Sequence, residues 1–427
     1  MNYIRWISGL VSVIAASTAT AAGSILLTGA DIYTVSNGVI RGGELLIADG
    51  RIAAVSTHIA VAAGTPRLDV SGKRIYPGLI DANSIIGLLT FPDTENSAKP
   101  QSHMFQEIGP NNANLVTAVA VDPDTVAWPV ARAEGVLAAL VAPAAGRDAI
   151  IAGRSTLMKP DGWTATQMTI APKVGLHLYW PETAAQLEVL ESIVAAAREY
   201  RVEQLAGRIT VPDLKLEGLL PALERRMPVM IHTRGVTNIR AALDFSQRHE
   251  LRMVLVEKPG GVTDAWRVAP RLAALQVPVI VGKALLGHSR RWVAYDERYT
   301  AVAELAKAGV KVVVATNNEE HIMTGGPAVA GNLHNEAGIY AAWGLDAETA
   351  LRAITLSPAE VLGVADRLGS LEVGKVATLF VADGDILEAS TRVERVWIDG
   401  REIDIDDTHH TQLLKKYQRK YRGEPKP

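Results

Sequence analysis

From residue 134 onward the chain alternates between two kinds of segment, and this alternation restricts the fold more than any other feature. Apolar runs rich in branched residues, "EGVLAALVAP", "RITVPD", "PVMIHTRG", "LRMVLVEKPGG", "VPVIVGK" and "VKVVVATNN", are separated by stretches of helical period such as "TAAQLEVLESIVAAAREYRVEQ", "NIRAALDFSQRH", "AWRVAPRLAAL" and "YTAVAELAKAG". Runs that are apolar at nearly every position are buried on both faces, and helices between them imply parallel crossovers. The body is therefore a (β/α) barrel or an open doubly wound sheet. No G-x-G-x-x-G or G-x-x-x-x-G-K-[ST] pattern is present, which argues against a nucleotide-binding open sheet.

Flanking this body are two segments of a different style. Residues 24–75 are short apolar runs punctuated by Asn-Gly, Gly-Gly, Asp-Gly and Ser-Gly, and "GSLEVGKVATLFVADG" with "RVERVWIDGREIDI" repeats the pattern near the other end. These read as antiparallel strands and hairpins. Neither segment has enough strands to cover a core alone, so the two are expected to pair into one sandwich. The division that follows is a composite β-sandwich from 23–75 and 365–406, a barrel over 76–364, and a basic tail over 407–427.

The first 22 residues place Arg5 before an apolar run from Ile7 to Ala16 and an A-x-A match at Ala19 to Ala21. This reads as a cleavable secretory leader, since the run is too short to span a hydrocarbon core of about 30 Å. A secreted or periplasmic protein with no membrane span after cleavage is expected. With 43 Lys and Arg against 46 Asp and Glu there is no global basic field to hold nucleic acid or an anionic membrane. The chain has no cysteine, so any metal would have to use His, Asp, Glu or Lys.

In a parallel barrel the functional side chains sit at the C-terminal ends of strands. Those positions are Asp81, Asn83 and Ile85 after "RIYPGLI"; His232 and Arg234 after "PVMI"; Glu257 and Lys258 after "LRMVLV"; Lys283 after "VPVIVG"; and Asn317, Asn318 and Glu319 after "VKVVVAT". The succession "GKRIYPGLID", "PVMIH", "AGVKVVVATN" and "ALRAITLSPAEVLGVADRLGSLEVGKVATLFVADGD" resembles the amidohydrolase superfamily, and within it the imidazolonepropionase-like and dipeptidase-like branch. Val376 and Thr378 stand where the family usually has Asp.

The resemblance implies a (β/α)8 TIM barrel with a composite β-sandwich, hydrolysing C–N bonds of dipeptides, amides or cyclic amides through a metal-activated water. The family's site takes an H-x-H pair from the first strand, because alternate strand residues point the same way and can share one ion. It adds a histidine from each of two middle strands and an aspartate base from the last. Mapped here, the pair falls on Asn83 and Ile85, the first middle histidine on His232, the second on Glu257 or Lys258, and the aspartate on Asn317. An amide is no base at neutral pH, so one position in five is kept.

Two classes of function remain open: a C–N hydrolase of weak or rebuilt activity, and a catalytically silent member that binds a peptide-like or cyclic amide ligand or pairs with an active amidohydrolase. Homo-oligomerisation is equally open. No cofactor is expected unless zinc or another divalent ion is held by His232 with ligands recruited from His103, His177, His288, His321 or His334, all expected on loops or helix starts. A metal-free hydrolase would use Lys258 or Lys283 as base or nucleophile. Arg132, Arg154 and Arg234 are candidates for a carboxylate-binding rim, and the polar stretch 95–115 for a loop over the barrel mouth.

Overall fold

The computed structural model describes residues 23–90, 101–102, 109–144, 149–258, 264–282, 284, 293–316, 331–406 and 408–422. The leader, His103, Lys283, His288, Asn317, Asn318, Glu319, His321 and most of the expected mouth loop lie outside them.

The terminal segments share a single eight-stranded sheet. Strands Ile25–Tyr33, Val39–Ala48, Arg51–Ser56, Arg67–Asp69 and Arg74–Pro77 come from the first, and Leu379–Ala382, Val393–Ile398 and Arg401–Ile403 from the second. They meet where Arg74–Pro77 pairs antiparallel with Leu379–Ala382. Leu27, Ile32, Leu45, Ile47, Ile75, Leu379 and Trp397 form the common apolar interior. Two hairpins, Asp49-Gly50 and Asp399-Gly400, turn with φ positive at both residues (50° and 74°, 52° and 77°). That is the turn whose twist matches paired strands, and Asp-Gly is its preferred sequence.

Gly78 links this sheet to the barrel. A side chain there would place Cβ 2.8 Å from Cβ of Leu137, so the chain crosses between the two bodies only where it carries none.

The barrel strands are β1 (Leu79–Ser84), β2 (Val136–Val141), β3 (Ile151–Arg154 continued by Thr156–Met158), β4 (Leu176–Tyr179), β5 (Val229–Thr233), β6 (Met253–Glu257), β7 (Val279–Val281) and β8 (Val312–Val314). Pairing runs in that order, parallel from β1 to β2 and from β4 through β8. β3 departs from the expected all-parallel pattern, running antiparallel to both β2 and β4. The reason is connection length: residues 142–150 between β2 and β3 are too few for a helical crossover, so the chain returns as a hairpin does.

Helices cover the outside. The longest, Ala184–Leu205, starts at a capping box in which Thr183 and Gln186 satisfy each other's backbone groups, and buries Leu190, Val194, Ala197 and Tyr200. "RITVPD" forms no strand. Val211 is 80% exposed, Pro212 has no N–H to give a ladder, and Asp213 caps the helix Leu214–Leu223 by accepting from the backbones of Lys215 and Leu216.

Two clusters show which way each strand faces. Ile80, Ala82, Ala138, Leu140, Leu157, Met230, Val254, Val256, Ile280, Val313 and Ala315 share one with Ala359, Val361, Leu362 and Leu368. This is the barrel interior, floored by the 359–368 segment. Leu178, Ile231, Leu255, Val279, Val281 and Val314 belong to the other, with the helical residues Leu190, Val194, Ile239 and Leu243. This is the layer between strands and helices.

At the β8–β1 seam sits the Asp81 carboxylate, fully buried. It accepts from the Thr316 hydroxyl (2.5 Å), the Thr316 N–H (3.1 Å) and the Asn83 N–H (3.3 Å). Burial pushes its pKa up to about 6, against the pull of these donors. The folded protein therefore holds this proton more tightly than the unfolded chain, and the group's contribution is complete below about pH 4 and lost as pH rises through about 6. In Asp81→Asn that term is gone. Urea unfolding across this range is expected to show wild type losing about 3 kcal/mol relative to the variant, two pKa units at 1.36 each. Wild type gaining on the variant with rising pH would contradict a buried, desolvated carboxylate.

Candidate functional site at the barrel mouth

Parity decides which strand-end residues reach the mouth. On β5 the inward positions are Met230 and then His232, which is fully buried. On β4 they are His177 and Tyr179, since Leu176 and Leu178 belong to the outer layer. On β6, Val254 and Val256 point inward, so the next inward position belongs to Lys258.

These residues form one stack. Nδ1 of His177 and Nε2 of His232 are 2.8 Å apart and share a hydrogen bond. The Tyr179 ring lies over His232, centroids 4.2 Å apart at 13°. The Lys258 ammonium stands 5.3 Å from the Tyr179 ring centre, within the range of a cation–π contact. The Tyr179 hydroxyl donates to the Pro143 carbonyl (3.2 Å), tying the end of β4 to that of β2, and the Lys258 N–H donates to the Thr233 carbonyl (3.0 Å), tying β6 to β5.

The other expected positions fall elsewhere. Glu257 faces the helical layer and accepts from the N–H groups of Asp264 (2.7 Å) and Ala265 (3.4 Å), capping the short 3-10 turn Ala265–Val268. The choice between Glu257 and Lys258 at the mouth thus goes to Lys258. Asn83 is buried on β1, but Ile85 lies past the strand end, in a turn where the Leu88 N–H donates to its carbonyl, and packs in the outer apolar layer.

The three arginines are also separated. Arg132 precedes β2 and donates to the Pro160 carbonyl (2.9 Å), at the opposite end of the barrel from the mouth. Arg154 on β3 donates to the Asn114 carbonyl (3.0 Å), and burial lowers its pKa. Arg234, just past β5, is exposed at the mouth. His334 is buried on the helix Leu333–Ala342, where burial lowers its pKa. His177 was expected on a loop. The signal for it is the alternation in "GLHLYW", which a four-residue strand shows only twice.

Residues 207–403 match the amidohydrolase family. A 5-methylthioadenosine/S-adenosylhomocysteine deaminase from Syntrophobacter fumaroxidans is 25% identical over 80% of each chain. The amidohydrolase tasK of Hapsidospora irregularis is 26% identical over 44% of this chain, a match spanning only 18% of that much longer protein. Among solved structures, an amidohydrolase from Thermotoga maritima superposes with a TM-score of 0.78 at 23% identity, covering 89% of this chain and 99% of its own. Molinate hydrolase superposes at 0.55 with 19% identity, over 92% and 97%.

This fold family implies a divalent metal, and the donors among the described residues of the mouth do not fit one. Catalytic zinc takes three protein ligands. Asn83 offers a weak carbonyl oxygen, Ile85 nothing, and the Asp81 carboxylate is bound to Thr316. The two histidines spend a nitrogen each on one another, and Lys258 brings an ammonium to the third inward position. Among the described residues no three His, Asp or Glu side chains come within reach of one ion.

If the stack is a packed unit, His232→Ala removes both the partner of His177 and the surface under Tyr179. A loss of about 2–4 kcal/mol of stability is expected, the sum of a lost buried hydrogen bond and a cavity. Chemical denaturation measures it, and a change near zero would show that the rings are not packed as described.

Proposed function

We propose that the chain is a member of the amidohydrolase superfamily, a reading supported by the match over residues 207–403 and by the shared fold, and that its barrel mouth binds a small carboxylate-bearing amide without a metal-activated water. The superfamily's chemistry at C–N bonds sets the class of ligand. The observation that carries the reading is the inward Lys258 ammonium at the rim of the Tyr179–His232–His177 stack.

An ammonium repels a divalent cation and attracts a carboxylate, and it has three donors to give and no lone pair to coordinate with. Tyr179 and the imidazoles supply a flat wall for an amide or a ring, the usual division of a small-molecule site into apolar surface and a few placed polar groups. Asn317, at the position of the family's aspartate base, is an amide, and the Asp81 carboxylate is bonded to Thr316. Export through the leader in residues 1–22 belongs to the same reading, which makes the protein a binder outside the cytoplasm.

Calorimetric titration with N-acetyl-L-proline, and with its neutral amide as control, tests this. The carboxylate is expected to bind wild type about tenfold or more tighter than it binds Lys258→Met, equivalent to about 1.4 kcal/mol. The neutral amide should not distinguish the two proteins. Equal binding of the carboxylate by both, or metal-dependent hydrolysis of either compound by wild type, would overturn the reading.

A further inference from the structure

The helix His409–Tyr421 follows the sandwich and is anchored at its start. Thr408 is buried, its hydroxyl accepts from the Thr411 N–H (3.0 Å), and Lys415 pairs with Asp406 (2.7 Å). Beyond that anchor the described side chains from Leu414 to Arg422 are all exposed. An isolated helix of this length is marginal in water, and most helices in proteins owe their stability to an apolar face that is covered. Here the apolar face is bare. Leu414, Tyr417 and Tyr421 are 57%, 45% and 83% exposed, and their i, i+3, i+7 spacing puts them on one stripe.

The remainder of the helix surface is basic. Lys415, Lys416, Arg419, Lys420 and Arg422 occupy it, and no carboxylate lies between 409 and 422. Lys416 and Lys420 flank the Tyr417 ring at 5.9 and 6.0 Å, so the cations border the apolar stripe directly. The rest of the chain carries the opposite sign, 38 Lys and Arg against 46 Asp and Glu.

We infer that this helix docks the protein on an anionic lipid surface, lying in the headgroup region with Leu414, Tyr417 and Tyr421 inserted. An exposed stripe of leucine and tyrosine bordered by four to eight cations is the arrangement that anionic lipid recognises, each cation near the surface contributing about 1 kcal/mol. Tyrosine suits the interface because its ring is apolar and its hydroxyl stays wet. The acidic body does not oppose this. Thirteen residues extend about 20 Å, well beyond a screening length of about 8 Å. A second copy is a poorer occupant, since two such helices would set cation against cation. No described helix is long and apolar enough to cross a membrane, so attachment through this helix is peripheral.

Co-sedimentation of the purified full chain with vesicles tests the inference. Vesicles of phosphatidylcholine mixed with phosphatidylglycerol are expected to bind the protein at low salt and release it at high salt, and vesicles of phosphatidylcholine alone should not retain it. Two variants, Leu414→Ser with Tyr417→Ser and Tyr421→Ser, and Lys416→Glu with Arg419→Glu and Lys420→Glu, should each bind at least tenfold more weakly while keeping the wild-type thermal midpoint. Undiminished binding by either variant, or no binding by wild type, overturns the inference. So does size-exclusion chromatography showing that wild type forms a dimer that both variants lose while vesicle binding is absent, which would assign the helix to a second copy.

Discussion

Closing eight strands into a ring removes the free sheet edges, and it also fixes the register of each strand against the next. In this molecule the β8–β1 seam is bridged by the buried Asp81 carboxylate and its bonds to Thr316. Once the ring is closed, every strand residue is committed to the interior or to the helical layer. The mouth then consists of whatever stands at the last inward position of each strand. On β4, β5 and β6 those positions bring His177, Tyr179, His232 and Lys258 into one stack, and they send Glu257 to cap a turn on the outside.

The chemistry of the mouth follows from that placement. A metal site needs several donors converging on one ion, and among the described residues the inward positions of β4, β5 and β6 hold groups that contact one another. The histidines share a hydrogen bond, Tyr179 covers one of them, and an ammonium stands where a further ligand would be wanted. The scaffold is kept in full, with the sandwich joined from both ends of the chain and the apolar interior floored by the 359–368 segment.

Much of this was legible in the sequence, for reasons that differ by element. The Asp-Gly turns announced the sandwich hairpins because positive φ at two successive residues leaves few alternatives. The long apolar runs of β2, β5 and β6 announced barrel strands because burial on both faces leaves a continuous signal. β3 and β4 were not visible. Both are short, β3 is interrupted at Ser155 and reversed, and in β4 the inward half is polar, so the apolar run that marks the others is missing. His177 was hidden with its strand. "RITVPD" failed in the opposite way, with strand-forming residues in a connection that tertiary context left exposed. Glu257 and Lys258 are adjacent, so sequence alone gave no parity; the clusters on either side of β6 supply it.

The most direct measurement is the metal content of the purified protein by elemental mass spectrometry, after dialysis against zinc or manganese and then against metal-free buffer. A mouth built from a bonded histidine pair and an ammonium should retain far less than one ion per chain. Retention of one or more ions per chain would contradict it, and would mean that His177 and His232 give up their bond to ligands outside the described residues.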